Sequence, residues 1–246
     1  MKEKYKLIIL VLASYDYEVY KKLRKVQLEY YNLNPDVRVF MVYGNLPPEN
    51  PGENDLVFYD IEENYYPGMI TKTVRAMKYI EENYDYDFML RTNISTFWDF
   101  NTLLQRIETM PKENCFTGNL RTCTYKKQKS PSYVAGVNLI LSRDLVKKIA
   151  DNEDIVCSVD LPEDWVLSQY LIDQGHTPKH TSPRAIRFME NYEHPLDIDS
   201  VYRDIEDAKK NNQDHYRIKN KRNREIVDPQ IANILLYEYY GRQAIL

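Results

Sequence analysis

Glycine is scarce in this chain, at seven among 246 residues. Neither GxGxxG nor GxxxxGK[ST] occurs, which removes the dinucleotide and P-loop fingerprints, both built on glycines that let backbone N–H groups close on phosphate. Cysteine is scarce as well. Cys115, Cys123 and Cys157 are odd in number and contain no CxxC pair, so neither a disulfide framework nor a zinc site is indicated, and a reducing, cytoplasmic compartment is the simpler expectation. Positive charge is not in excess: the formal net charge is −4, which argues against a general nucleic-acid binder. No apolar run is long enough to span a membrane. The opening MKEKYKLIILVLAS imitates a short secretory signal. Glu3 and the lysines flanking Tyr5 tell against that, and the apolar run has the length of a buried strand.

What is present suffices for a substantial core, with 43% of residues hydrophobic and 28% charged. Tyrosine is abundant, at 22 residues, which an AT-rich genome explains as readily as a sugar-stacking surface. Leu7 to Leu12 is apolar throughout and predicts a central, parallel strand. Asp16 or Ser14 is placed to cap the next helix, whose Val19, Leu23, Val26 and Tyr30 share one face. Val37 to Tyr43 and Leu56 to Tyr59 follow as strands, around a Pro/Asn/Gly loop. Pro67 to Glu82 predicts a helix with Met69, Val74, Met77 and Ile80 buried. The alternation describes a mixed α/β fold with a mainly parallel central sheet and helices on both faces.

The stretch around which the rest is organised is YDYDFMLRTNISTFWDF. Phe88, Met89 and Leu90 read as a buried strand that stops in Arg91, Thr92, Asn93, Ser95 and Thr96, and Asp99 then opens an amphipathic helix. The polar cluster therefore lies at the carboxyl edge of the sheet, where open α/β sheets keep their ligand crevice. An ordinary turn stocked with hydrogen-bonding side chains has the same composition.

Beyond it, the lysines of YKKQKSP (125–131) read as a solvated hairpin tip or a phosphate-facing loop. Tyr133 to Leu141 reads as one apolar strand, broken by Ala135-Gly136, and a glycine within a strand marks a close approach of another backbone or a ligand. Ser142 is placed to cap the helix after it. Asp160, Pro162 and Glu163 have the spacing of a helix start, and Gly175 that of its end. Asp199 is placed to cap a further helix. His215, Arg217 and Lys219 alternate, which on a strand puts them on one face, as three donors for an anion or as charges guarding an exposed edge. Asp228-Pro229 opens the last helix and Gly241 closes it.

Three segments, in this order, resemble the β-1,3-glycosyltransferase superfamily that includes fringe and the core-1 galactosyltransferase. In YYPGMITKTVRAMKYIEENYDYDFMLRTN, Lys72-Thr73 match the family's Lys-Thr pair ahead of a helix and strand. In YVAGVNLILSRDLVKKI, Gly136, Ser142 and Asp144 fall at matching positions. In LPEDWVLSQYLIDQG, Glu163-Asp164 match an acidic pair and Gly175 the glycine after it. The resemblance covers Tyr65 to Gly175. It implies a GT-A-like single domain over 1–246, with a nucleotide-sugar-binding half (1–110) and an acceptor-binding half (111–246). It implies inverting transfer from a nucleotide-diphosphate sugar, UDP-linked, to a glycan or glycoprotein acceptor. The departure is at the strand end, where the family's acidic triplet is replaced by Thr92-Asn93-Ile94. Mn²⁺ and Mg²⁺ favour carboxylate oxygens, and only Asn93, Ser95 and His215 remain as candidate ligands there.

Site roles follow from the same resemblance. Asp164 is the candidate base, although acids in first helical turns are ordinary. Lys72, Arg91, His215, Arg217 and Lys219 are candidates to stabilise the departing diphosphate, with Arg91 able to replace a metal through paired N–H donors. Thr92 and Asn93 are placed to orient a hydroxyl, and Ala13, Ser14 and Tyr15 to meet the nucleotide base. Trp98, Gly136, Glu163 and Trp165 fall on the acceptor or sugar side, core packing being the commoner fate of the two tryptophans and capping that of Glu163. Two other classes stand against the enzyme. One is a catalytically silent GT-A-like module that binds a nucleotide or glycan. The other is a nucleotidyltransferase, which needs carboxylates that Thr92-Asn93-Ile94 lacks.

Overall fold

A computed structural model of the chain describes residues 2–122, 124–125, 128–129, 132–180 and 185–246. The first elements are β1 (Glu3–Leu12), α1 (Glu18–Leu28), β2 (Val37–Tyr43), β3 (Asp55–Val57), α2 (Gly68–Asn83), β4 (Tyr84–Asn93), β5 (Thr96–Trp98) and α3 (Phe100–Ile107). Short strands follow: β6 (Phe116–Gly118), β7 (Leu120–Arg121), β8 (Thr124–Tyr125), β9 (Gln128–Lys129), β10 (Tyr133–Val134) and β11 (Leu139–Ser142). The chain then forms α4 (Arg143–Ala150), α5 (Glu153–Cys157), α6 (Glu163–Asp173) and β12 (Lys179–His180). It closes with β13 (Ile186–Met189), α7 (Ile198–Lys210), β14 (His215–Ile218) and α8 (Arg224–Tyr240).

These elements form two compact units. Unit 1 contains Met1–Ser14, Asp36–Asn93 and Met110–Thr181, and unit 2 contains Tyr15–Pro35, Ile94–Thr109 and Ser182–Leu246. Each unit draws on three separate stretches of the chain, and neither is set by a single cut near residue 110. Strand pairing over long sequence separation decides it: β5, before residue 110, pairs with β14, after residue 210.

Unit 1 is built on a seven-stranded sheet in the order β12-β6-β11-β4-β1-β2-β3. β1 runs parallel to both β2 and β4, while β11 is antiparallel to β4 and β6. Ile8, Leu10 and Leu12 share a core with Ile70, Val74 and Met77 of α2, Leu145 of α4 and Leu167 of α6. Leu7, Ile9 and Val11, which point the other way, are equally buried. That is why β1 is apolar without alternation. α2, α4, α5 and α6 contact one another and so form one layer.

Several local expectations are revised here. Tyr133–Leu141 is not one strand, since Ala135–Asn138 turns between β10 and β11. Ser142 occupies the N-cap of α4, but its hydroxyl donates to Asp144 Oδ1 at 2.5 Å and accepts from Cys115 N instead of capping. β8 and β9 pair antiparallel, while Lys126 and Lys127 of the predicted tip lie outside the described residues.

Unit 2 has a three-stranded sheet, β13-β14-β5, with α1 packed on α8. Asp99 caps α3 as expected, accepting from Asn101 N at 3.1 Å and Thr102 N at 3.4 Å. α1 starts without a side-chain cap, and Asp197, not Asp199, caps α7. α8 begins at Arg224, well before Pro229. Asp228 is buried inside it, accepting from Asn220 and from Arg224 Nε at 2.9 Å, so the Asp-Pro pair is no helix start. Among the described residues no helix is long and apolar enough to cross a membrane.

Candidate functional site

The parallel pairing of β1 with β4 sets Leu12 opposite Asn93. Ala13 and Ser14 therefore leave the sheet beside the polar end of β4, at its carboxyl edge. Lys72, from α2, reaches this edge and donates to the Ala13 carbonyl at 2.9 Å. Its other partner is the Glu63 carboxylate, which also accepts from Gly44 N at 2.8 Å. Lys72 is only 2% exposed. Burial holds its ammonium below the usual lysine range, partly offset by Glu63.

A second buried pair lies along the same edge. Arg91 Nε donates to Glu163 Oε1 at 3.0 Å and Nη2 to Oε2 at 2.6 Å, a two-point fork. Arg91 Nη1 meets the Gly136 carbonyl and, at 3.1 Å, Asn93 Oδ1. Thr73 adds a hydrogen bond to Glu163. Burial pushes the Glu163 carboxyl up, against the pull of Arg91. Gly136 is explained by this contact, since a Cβ there would collide with the Arg91 guanidinium. Glu163 is thus an anchor for Arg91 rather than a capping residue.

Asp164 joins through the same glycine. Its Oδ2 accepts from Gly136 N at 2.9 Å and its Oδ1 from Trp165 N at 3.0 Å. Asn93 Nδ2 donates to the Gly136 carbonyl at 3.3 Å. Asn93 and Asp164, 71 positions apart in the sequence, therefore hold opposite ends of one residue. Both are half-buried, whereas Thr92 is fully buried and donates to the Val137 carbonyl at 2.7 Å. Trp165 is buried and stacks on Tyr133, the packing role for a tryptophan.

The remaining candidates belong to unit 2. Tyr15 is half-buried, with Lys21 Nζ 5.2 Å above its ring. Ser95 is buried and accepts from Arg217 Nη1 at 2.7 Å. Trp98 is fully buried and stacks on His215, with ring centroids 4.3 Å apart, so it is not an open platform. His215 is also fully buried, its Nδ1 2.6 Å from Asp214 Oδ1. Arg106 Nε lies 2.5 Å from the other oxygen of Asp214. The three do not present one open face of donors, because His215 is buried between Trp98 and Asp214, Arg217 turns to Ser95, and Lys219 lies beyond the end of β14. Arg217 is half-buried and Lys219 exposed.

Whether a divalent metal suits the end of β4 depends on the donors there. Thr92 brings a hydroxyl already bonded to a carbonyl, and Asn93 brings an amide oxygen already facing a guanidinium. Neutral donors beside a cation do not suit Mn²⁺ or Mg²⁺. Among the described residues no group of three or more His, Cys, Asp or Glu is placed to hold a metal ion. Glu63 is the participant that sequence reading missed. It lies in the acidic loop segment IEENYYP, where nothing separates it from Glu62.

The mixed sheet, with its parallel centre and a polar carboxyl edge, has the GT-A glycosyltransferase fold. Two solved structures carry that likeness. A glycosyltransferase involved in the glycosylation of the major capsid of PBCV-1 is similar over 92% of this chain and 98% of its own, with a TM-score of 0.53 and 9% identity. An active-site mutant of LgtC is similar over 97% of each chain, with a TM-score of 0.51 and 13% identity. No family model and no curated protein matches the sequence.

Proposed function

We propose that this chain is an inverting glycosyltransferase that takes a sugar from a nucleotide-diphosphate donor, UDP-linked, and passes it to a glycan or protein acceptor in the cytoplasm. One observation carries the proposal. Asn93 and Asp164 share Gly136 at the carboxyl edge of the central strands, the edge at which α/β folds hold their ligands. Lys72-Thr73, Gly136 and Glu163-Asp164, the motif residues of the β-1,3-glycosyltransferase superfamily, all belong to this one network, which favours that branch of the fold.

In the reaction the acceptor hydroxyl oxygen attacks the anomeric carbon and its proton passes to the Asp164 carboxylate. The bond from the anomeric carbon to the diphosphate oxygen breaks, and its electron pair leaves with the nucleoside diphosphate. Backbone N–H groups on both oxygens of Asp164 hold the carboxylate in one orientation, as a positioned base requires. No step is routed through a metal, because the strand-end donors do not suit one.

One observation favours a second reading, the silent nucleotide- or glycan-binding module. Lys72 and Arg91 already face the buried carboxylates Glu63 and Glu163, so their charge is largely matched before any diphosphate arrives. A panel of nucleotide sugars, with EDTA or with Mn²⁺, separates the two. Binding read by thermal shift (a ligand at 100 times its Kd adds about 2.7 kcal/mol) together with hydrolysis or transfer supports the enzyme. Binding without turnover under every condition supports the module. Asp164→Asn is expected to abolish transfer while leaving donor affinity nearly intact, since the base acts on the acceptor. Unchanged turnover removes Asp164 from the mechanism.

A further inference from the structure

Glu63 takes no part in the transfer step, yet it is tied to the ends of two central strands. Its carboxylate accepts from Gly44 N at 2.8 Å and pairs with the Lys72 ammonium, which donates in turn to the Ala13 carbonyl at 2.9 Å. Its own N–H donates to Asn45 Oδ1 at 2.9 Å, and Asn45 N donates to the Ile61 carbonyl at 2.8 Å. Ala13 follows β1, and Gly44 and Asn45 follow β2. One carboxylate therefore latches both chain ends where they leave the sheet.

The surroundings of the latch are fitted to it. The Glu63 side chain is 8% exposed and that of Lys72 2%, so both charges are out of water. Buried pairs of this kind are often no better for stability than apolar side chains of similar volume, so stability alone does not account for this one. A Cβ at Gly44 would lie 2.7 Å from the Ile61 carbonyl oxygen and 3.1 Å from Glu63 Oε2. Only glycine brings its N–H onto the carboxylate there without displacing the loop.

The latch acts at the switch of the sheet. From β1 the chain runs outward through β2 to β3, and β4 then lies on the other side of β1. The switch point is therefore between β1 and β4, the position at which open α/β sheets hold ligands. Ala13 borders it, one residue past the pairing of Leu12 with Asn93.

We infer that Glu63 is a positioning residue for the nucleotide of the donor: through Lys72 it fixes the Ala13 carbonyl, and with it the backbone of Ala13 and Ser14 against which the nucleoside lies. This role rests on the proposed transfer from a nucleotide-linked sugar. Lys72 is then a tie within the wall and not a phosphate contact, since Glu63 already matches its charge. A wall set before the ligand arrives lowers the ordering that binding would otherwise require.

The full chain is titrated by calorimetry with the mono- and diphosphates of uridine, guanosine, adenosine, cytidine and thymidine, and the tightest pair is carried to the variants. Glu63→Gln is expected to weaken monophosphate and diphosphate by the same factor, about tenfold or more, because the loss lies at the nucleoside. Glu63→Leu combined with Lys72→Met exchanges the pair for apolar side chains. It is expected to keep a Tm close to that of the unaltered chain and to show the same equal losses. With the donor sugar, KM rises by that factor while kcat at saturation stays within about threefold, the reverse of Asp164→Asn. Unchanged nucleotide affinity in the folded double variant overturns the inference. So does a Glu63→Gln chain that binds the diphosphate more tightly and the monophosphate as before, since Lys72 then reaches phosphate once its partner is neutral. An unaltered chain that binds none of these nucleotides removes the sugar-transfer reading together with this one.

Discussion

Both units bury polar chemistry, but by different means. Unit 1 gathers opposite charges at strand ends: Lys72 with Glu63, and Arg91 with Glu163, all within one edge of the sheet. Unit 2 gathers rings. Tyr30 stacks on Tyr240 with centroids 4.8 Å apart and also meets Phe97 and Phe100. Its buried histidine is held by Asp214 and covered by Trp98. Ion pairs are expensive to bury and are often no better than apolar replacements for stability, whereas ring packing stabilises without that cost. The difference is one of degree, since unit 2 also buries Asp214 against Arg106 and Asp228 against Arg224, but only in unit 1 do the buried pairs line the carboxyl edge of the parallel strands.

That contrast breaks most readily at Glu163. Glu163→Ala leaves the Arg91 guanidinium buried without its carboxylate and is expected to cost about 3–5 kcal/mol, read from urea denaturation. Arg91→Met combined with Glu163→Leu is expected to recover most of that loss, while the proposed transfer stays absent. A double variant as unstable as Glu163→Ala alone would assign the pair to folding. In unit 2, Tyr240→Phe removes the hydroxyl that donates to the Trp98 carbonyl at 2.8 Å and accepts from Phe100 N at 3.0 Å. The ring packing remains, so the expected loss is smaller, about 1–3 kcal/mol by the same measurement. A loss matching that of Glu163→Ala would erase the distinction between the units.

The smallest effect is a pH dependence. Burial holds the His215 imidazole below its usual range, although Asp214 pulls the other way. On acidification the unfolded chain therefore takes up a proton here, near about pH 6.5, before the folded chain does. The stability contributed by this group is fully present above that pH and is lost as the pH falls below it, by at most about 1.4 kcal/mol per unit. Urea midpoints between about pH 7 and about pH 5 measure the slope. His215→Phe, which keeps a ring against Trp98, is expected to flatten it, and an unchanged slope would assign the acid sensitivity to other groups.

Much of unit 1 was legible because its signals are local. An apolar run without alternation marked β1, and helical spacing marked α2. The polar stop after Leu90 marked the carboxyl edge, and a glycine inside an apolar stretch marked a close approach, although what approaches is the Arg91 side chain and not a backbone or a ligand. Unit 2 was less legible because its signals depend on partners. The charges of His215, Arg217 and Lys219 fitted an exposed edge strand, but β14 pairs with β13 on one side and β5 on the other. Asp228-Pro229 looked like a helix start, yet the helix begins earlier and turns the aspartate inward to Asn220 and Arg224. Glu163 had the spacing of a cap and became an ion-pair anchor, because Arg91 offered a stronger partner than a backbone N–H.

The amino-acid order by itself determined the run of strands and helices, the parallel character of the central strands, and a short register of residues able to do chemistry. Those follow from hydrophobic period and backbone preference, which act over a few residues. Tertiary structure alone decided that the chain parts into two interleaved units, that Lys72 and Arg91 turn inward to carboxylates, and that Asn93 and Asp164 meet at Gly136. Such outcomes depend on which groups are brought together out of water, and neighbours far apart along the chain set that.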